Sequence, residues 1–317
     1  MRFNYYSFAF SVLFGIGELR AQEGIQKVEG FLPEIVSQFP NVRDAAISVS
    51  GDEIYFTVQS YLGELSAIVV SKFQDGKYSY PEVAPFSGKY HDLEPFLAPD
   101  GLRLYFSSNR PLEENSNETK DYDIWFVERV SIKSSWSAPY NMGYPINTKD
   151  NEFYPAVSKF NNLYFTSDGA QSKGKDDIFV SIWNFGSYDL PVSLSDSINS
   201  DGIEFNAYIA PDESYLIYTC YNRDGGYGSG DLYISYQTDN GRWTKAMNMG
   251  PQINSPKMDY CPFIDPKKGM LYFTSKRNAV QTKFNDTQAL KKLLEEMTQY
   301  ENGLSRLYKI KFDPNRP

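Results

Sequence analysis

The chain has a single histidine, His91, and two cysteines, Cys220 and Cys261. One imidazole excludes His-rich metal centres and any mechanism that needs two imidazoles. Two cysteines make neither a structural zinc site nor a disulfide framework. Positive charge is in short supply: 31 Lys and Arg face 40 Asp and Glu, a formal net charge of −9 at pH 7. Such an acidic chain is a poor polyanion binder, which argues against nucleic acid and anionic membrane surfaces as partners. No apolar run reaches the ~18 residues of a transmembrane helix. The longest, Phe8–Ile16, follows Arg2 and precedes the small residue Ala21. This pattern predicts a secretory signal peptide over residues 1–21, hence an exported chain, periplasmic or secreted. No cysteine follows the run, which argues against a lipid anchor.

Aromatics, by contrast, are abundant: 25 Tyr and 22 Phe. They fall in a repeat. An acidic residue, often with a Pro-aromatic pair and a Pro-Asp turn, precedes an apolar-aromatic triplet. The triplets centre on Tyr55, Tyr105, Tyr164, Ile217 and Tyr272. A third segment opens with Asp before an apolar run, at Asp123, Asp177 and Asp231. A fourth is marked by Trp136 and Trp243, each leading to Asn-Met-Gly and then Ile-Asn. Four short strands in each period of roughly 50 residues is the pattern of a propeller blade. Strands buried on both faces explain apolar runs without clean alternation.

The fifth copy stops after its third strand, near Arg306–Ile310, and an orphan segment at residues 30–36 precedes the first copy. The expectation is an all-β, five-bladed propeller of four-stranded antiparallel blades. The blades span roughly 42–88, 89–148, 149–200, 201–255 and 256–313, and strand 30–36 completes the last blade and seals the ring. Between Arg277 and Arg306 the pattern is interrupted. Leu290, Leu293, Leu294 and Met297 follow helical spacing, Asp286 can cap the start and Gly303 can end it, which predicts an amphipathic helix of about four turns. It would either cover the ring or dock a partner.

The Pro99-Asp100-Gly101 and Asn109-Arg110 elements resemble the TolB-type β-propeller repeat, the Pro-Asp relative of the WD repeat, over about residues 30–313. This resemblance implies a periplasmic or secreted propeller that binds partners.

Several residues qualify as site candidates. Asp92, Glu152, Glu204 and Asp259 occupy one position in copies two to five, where the innermost strand begins. In copy one Val42 stands there, and Asp44 lies two residues on, opposite Glu94. Converging carboxylates raise each other's pKa and attract a cation such as Ca²⁺; alternatively, each acid serves its own loop. Arg110, Arg223 and Arg277 end the second strands on the same face. They would clamp an anion or pair with the Asp123, Asp177 and Asp231 class. Tyr221 and Tyr227 flank a Gly-rich turn that lacks the Lys-Ser/Thr ending of a phosphate loop. Cys220 and Cys261 fall on adjacent blades and could form a disulfide. His91 has no nucleophile beside it and is expected to be solvated. Residues Thr238–Trp243 fall one residue short of a sialidase-type Asp box. The reading these residues support is a non-enzymatic module that binds a protein or cell-envelope component. The alternative is a carbohydrate-active hydrolase with acidic residues at the channel mouth, since glycoside hydrolysis needs two acids in different environments.

Overall fold

The computed structural model describes Met1 and residues 27–113, 116 and 118–314. Apart from Met1, the expected signal peptide lies outside them. Five antiparallel sheets form the blades of a propeller. Their innermost strands are Asn41–Ile47, Asp92–Leu97, Glu152–Val157, Glu204–Ile209 and Asp259–Asp265. The triplets lie in the second strands, for example Arg103–Ser108 and Met270–Ser275. Leu104, Tyr105 and Phe106 are all buried, because both faces of a blade pack on neighbouring blades.

The fourth strands are only two residues long, such as Tyr140–Asn141 and Met247–Asn248. The Ile-Asn tails supplement them. Asn147 accepts the N–H of Ile124 at 2.9 Å and donates to its carbonyl at 2.9 Å. Asn199 does the same to Ile178, and Asn254 to Leu232. One side-chain amide thus imitates a strand's backbone and satisfies a third strand where its fourth is short. The Pro-Asp elements are turns between strands one and two: Asp100 accepts the N–H of Leu102, and Asp212 that of Ser214.

The ring closes through its first described residues, with different bounds from those expected. Glu29–Gly30 pairs antiparallel with Arg306–Lys311, and Phe31 donates to Leu307 O at 2.8 Å. Residues Pro33–Val36 are a one-turn helix and not part of the strand. Leu32 turns left-handed at φ 50°, and Pro33, with φ preset, opens the helix. Gly30 is required here, since a Cβ would come within 2.8 Å of the Tyr300 ring. Phe31 then packs between Tyr272 of blade five and Tyr78 of blade one, at 4.7 and 6.5 Å between ring centroids.

The insertion helix is also shorter than its sequence pattern. It runs from Leu290 to Thr298 with Ala289 at its N-cap, and it ends well before Gly303. Asp286 does not cap it; its carbonyl accepts the Gln288 side chain instead. None of the helix residues is buried, and Leu290, Leu294 and Met297 are exposed.

Candidate functional site

The acids at the start of the innermost strands are taken up by neighbouring side chains: a hydroxyl four or five residues earlier and, in three of the four, an arginine of the same blade. Asp92 accepts from Ser87, Ser108 and Arg110, the last at 2.6 Å. Glu204 accepts from Ser200 and, at 2.8 Å, from Arg223. Asp259 accepts from Ser255 and pairs with Arg277 at 3.4 Å. The arginines therefore pair with this ring of acids and not with Asp123, Asp177 and Asp231. The ladder dictates it: Asp92 faces Ser108, Glu204 faces Cys220 and Asp259 faces Ser275, so the arginine just beyond folds back onto the facing acid. Asp123, Asp177 and Asp231 instead accept from Asn141, Ser193 and Asn248 in their own blades. Blade three is the exception. Gly169 stands where the arginine would be, and among the described residues Glu152 has only Thr148 as hydrogen-bond partner. Burial pushes Glu152 up to about 8.

The groups that meet at the axis come two residues later. In every innermost strand the register slips by one residue, a β-bulge. The bulged residues Asp44, Glu94, Tyr154, Asn206 and Cys261 all have φ between 48 and 62°. Pro95, Pro155 and Pro262 follow directly; a bulged residue breaks the ladder, so a missing N–H costs little there. The bulges are tied across the seams. Asp44 N donates to Thr274, Glu94 N to Thr57, Tyr154 N to Ser107 and Asn206 N to Thr166, each on the preceding blade. The backbone is thus repeated, while the five side chains it presents all differ.

Arg43 organises this cluster. Its Nε lies 2.7 Å from Asp44 Oδ1 and its Nη2 lies 2.7 Å from Glu94 Oε1. Its guanidinium stacks over Tyr260 at 5.3 Å and donates to Cys261 Sγ at 3.5 Å. Glu94 also accepts from Ser107, Tyr154 N and Asn206. Among the described residues Asp44 Oδ2 is buried without a hydrogen-bond partner, and the Asp44 carboxyl as a whole neighbours the Cys261 thiol. Asp44 and Glu94 are 1% and 4% exposed, against 18% for the Arg43 side chain, so Arg43 is the solvent-facing member. Two acids share one guanidinium in a buried place. Burial therefore raises Glu94 well above the usual carboxylate range; the charge of Asp44 adds to this and Arg43 opposes it. Beside the cluster, Tyr122 donates its hydroxyl to His91 Nδ1 at 2.7 Å, and His91 Nε2 donates to Gly63 O. His91 is thus a tie between the loops of blades one and two rather than a solvated loop residue.

Of the remaining candidates, all but Cys261 lie apart from the axis. Tyr221, which ends the strand Tyr215–Tyr221, and Tyr227, in the loop that follows, are exposed. Cys220 and Cys261 are both free, so the disulfide is not formed. Cys220 belongs to the inter-blade core, whereas the bulge turns Cys261 to the axis beside Tyr154 and Tyr260. Among the described residues no group of three or more His, Cys, Asp or Glu is arranged to hold a metal ion. Arg43, Asn206 and Cys261 do not stand out in the sequence as axial groups. The signal available is the divergence of residue type two positions after an otherwise uniform acid.

No family model and no curated protein matches the chain. Solved structures do. A glycoside hydrolase aligns with TM-score 0.55 and 8% identity, covering 87% of this chain and 89% of that one. A BT0996 RGII complex aligns with TM-score 0.54 and 7% identity over the same shares. An α-L-arabinofuranosidase from Lactobacillus brevis aligns at 0.49 and 14%, covering 87% and 93%. The first two likenesses bear out the propeller fold. The comparisons also correct the expectation of a non-enzymatic binding module, because a structure that aligns around the whole ring is itself described as a glycoside hydrolase.

Proposed function

We propose that this chain is a carbohydrate-active hydrolase whose reacting groups are Asp44 and Glu94. The observation that carries the reading is their shared attachment to Arg43. Two carboxyls of unlike surroundings, one of them holding its proton to higher pH, are what glycoside hydrolysis requires. Glu94 is the general acid, giving its proton to the departing glycosidic oxygen. Asp44, through its unpartnered Oδ2, takes the proton of the water whose oxygen bonds to the anomeric carbon as the glycosidic C–O bond breaks. Arg43 keeps the pair apart in charge and covers it, so a sugar reaches Glu94 once the guanidinium swings aside. In this reading the Pro-Asp punctuation that resembles TolB-type repeats is blade architecture, and the apolar run Phe8–Ile16 delivers the enzyme to extracellular glycans.

The test is turnover of a panel of aryl glycosides and plant-polysaccharide oligomers by the wild type, Glu94→Gln and Asp44→Asn. Wild type should hydrolyse at least one, and Glu94→Gln should lose about 10²–10⁴-fold in kcat. A wild type inert on the whole panel, or a Glu94→Gln chain as fast as wild type, would sink the reading.

A further inference from the structure

We propose that the cleft between blades two and three, at the end of the ring where the innermost strands turn into the second strands, is a separate site for a neutral oligosaccharide. The axial acids Asp44 and Glu94 lie midway along Asn41–Ile47 and Asp92–Leu97, and the turns that follow these strands lie beyond them. This cleft is built there, from the turns after Leu97, Glu128 and Val157. Its volume is about 640 Å³, within the range of small-molecule sites.

Its lining is aromatic and held in place. Trp136 donates its indole N–H to Tyr55 at 3.0 Å, and the Arg129 guanidinium lies 4.3 Å over its ring. Trp183 stands edge-on to Tyr188 at 4.9 Å between centroids, and its backbone N–H is held by Asn162. Both belong to a two-stranded hairpin, Trp183–Asn184 with Ser187–Tyr188, which forms a sheet of its own outside the four strands of blade three. Its tip uses left-handed backbone at Phe185 and Gly186. The blade does not need this element to be complete, yet it places two rings in the cleft.

Both lining arginines are paired. Arg103 meets Glu128 at 3.0 Å and Arg129 meets Glu53 at 2.9 Å, while Asp100 accepts the Leu102 N–H, so the cleft carries no surplus cation that would select an anion. What it offers is donors beside acceptors, next to rigid rings. A sugar has the matching chemistry: vicinal hydroxyls that both donate and accept, and an apolar C–H face that covers an aromatic ring. Because no residue that lines the cleft belongs to the axial cluster, this proposal stands or falls independently of the hydrolase reading.

The experiment is calorimetric titration of the full chain with xylohexaose, arabinohexaose, cellohexaose and a galacturonate hexamer. Wild type, Trp183→Ala, Glu128→Ala and Glu94→Gln are compared after their melting temperatures are matched. At least one neutral hexamer should bind, with Kd raised tenfold or more by Trp183→Ala and several-fold by Glu128→Ala, and unchanged by Glu94→Gln. Three outcomes would overturn the proposal: no neutral hexamer binding, binding that both cleft variants leave intact, or preference for the galacturonate. Loss of binding in Glu94→Gln alone would place the only saccharide site at the axis, which also overturns it.

Discussion

Arg43 Nη2 and Glu94 Oε1 meet at 2.7 Å across the seam between blades one and two, and because Arg43 Nε also holds Asp44 at 2.7 Å, one guanidinium joins two acids the chain has buried. A buried ion pair contributes little net stability compared with an apolar substitute, but removing one partner strands the other charge.

Arg43→Met should therefore destabilise the protein by about 3–5 kcal/mol, because Asp44 and Glu94 lose the guanidinium they share. Urea midpoints measure this. The double variant Arg43→Met with Glu94→Gln should recover part of the loss; no recovery would mean the two residues are not energetically coupled.

The raised proton affinity of Glu94 fixes the sign of its pH dependence. Its folded value lies above its unfolded one, so its contribution is complete at low pH and is lost as pH rises through the raised value. As general acid it works only when protonated. The kcat profile should accordingly fall on its alkaline side, at a pH well above that of a solvated carboxylate. A profile flat through neutrality would contradict the assignment.

Glu152 gives a cleaner stability test, because Gly169 leaves it without an arginine. Its folded value near 8 exceeds the ~4.3 of an unfolded Glu, so stability falls between those values as pH rises, by at most about 1.4 kcal/mol per pH unit. Glu152→Gln should remove that slope, and the variant should gain on wild type between about pH 5 and pH 8 in paired thermal melts.

Phe31→Ala empties the position between Tyr78 and Tyr272 at the closing seam and should cost about 3–5 kcal/mol. Its effect should fall mainly on the unfolding rate if the seam closes last, which stopped-flow dilution into denaturant would show.

The architecture was legible because each blade repeats its chemistry. Asp-Leu-Tyr and Leu-Tyr-Phe segments buried on both faces leave few folds to choose from. The closing strand was legible in role but not in extent, since Pro33 helps start a helix and only the approach of Tyr300 shows why Gly30 must pair. The insertion helix is shorter than its pattern because spacing marks a face, not where a turn such as Asp286–Gln288 halts it. The axial cluster was only half legible. Asp44 opposite Glu94 is visible when the copies are aligned, but a left-handed bulge that swings five unlike side chains to one point is a backbone event. The uniform acids drew the eye, although uniformity here marks masonry: three of the four are bound to an arginine of their own blade, the fourth to Thr148.

Glu29–Gly30 joins Arg306–Lys311, so the first strand described has the last as its neighbour. Without Arg306–Lys311 in place, the strand Met270–Ser275 has an open edge and the opening segment has no mate. Sealing the circle therefore joins residues about 280 positions apart, as Glu29 opposite Lys309 shows, a contact no local segment can make by itself.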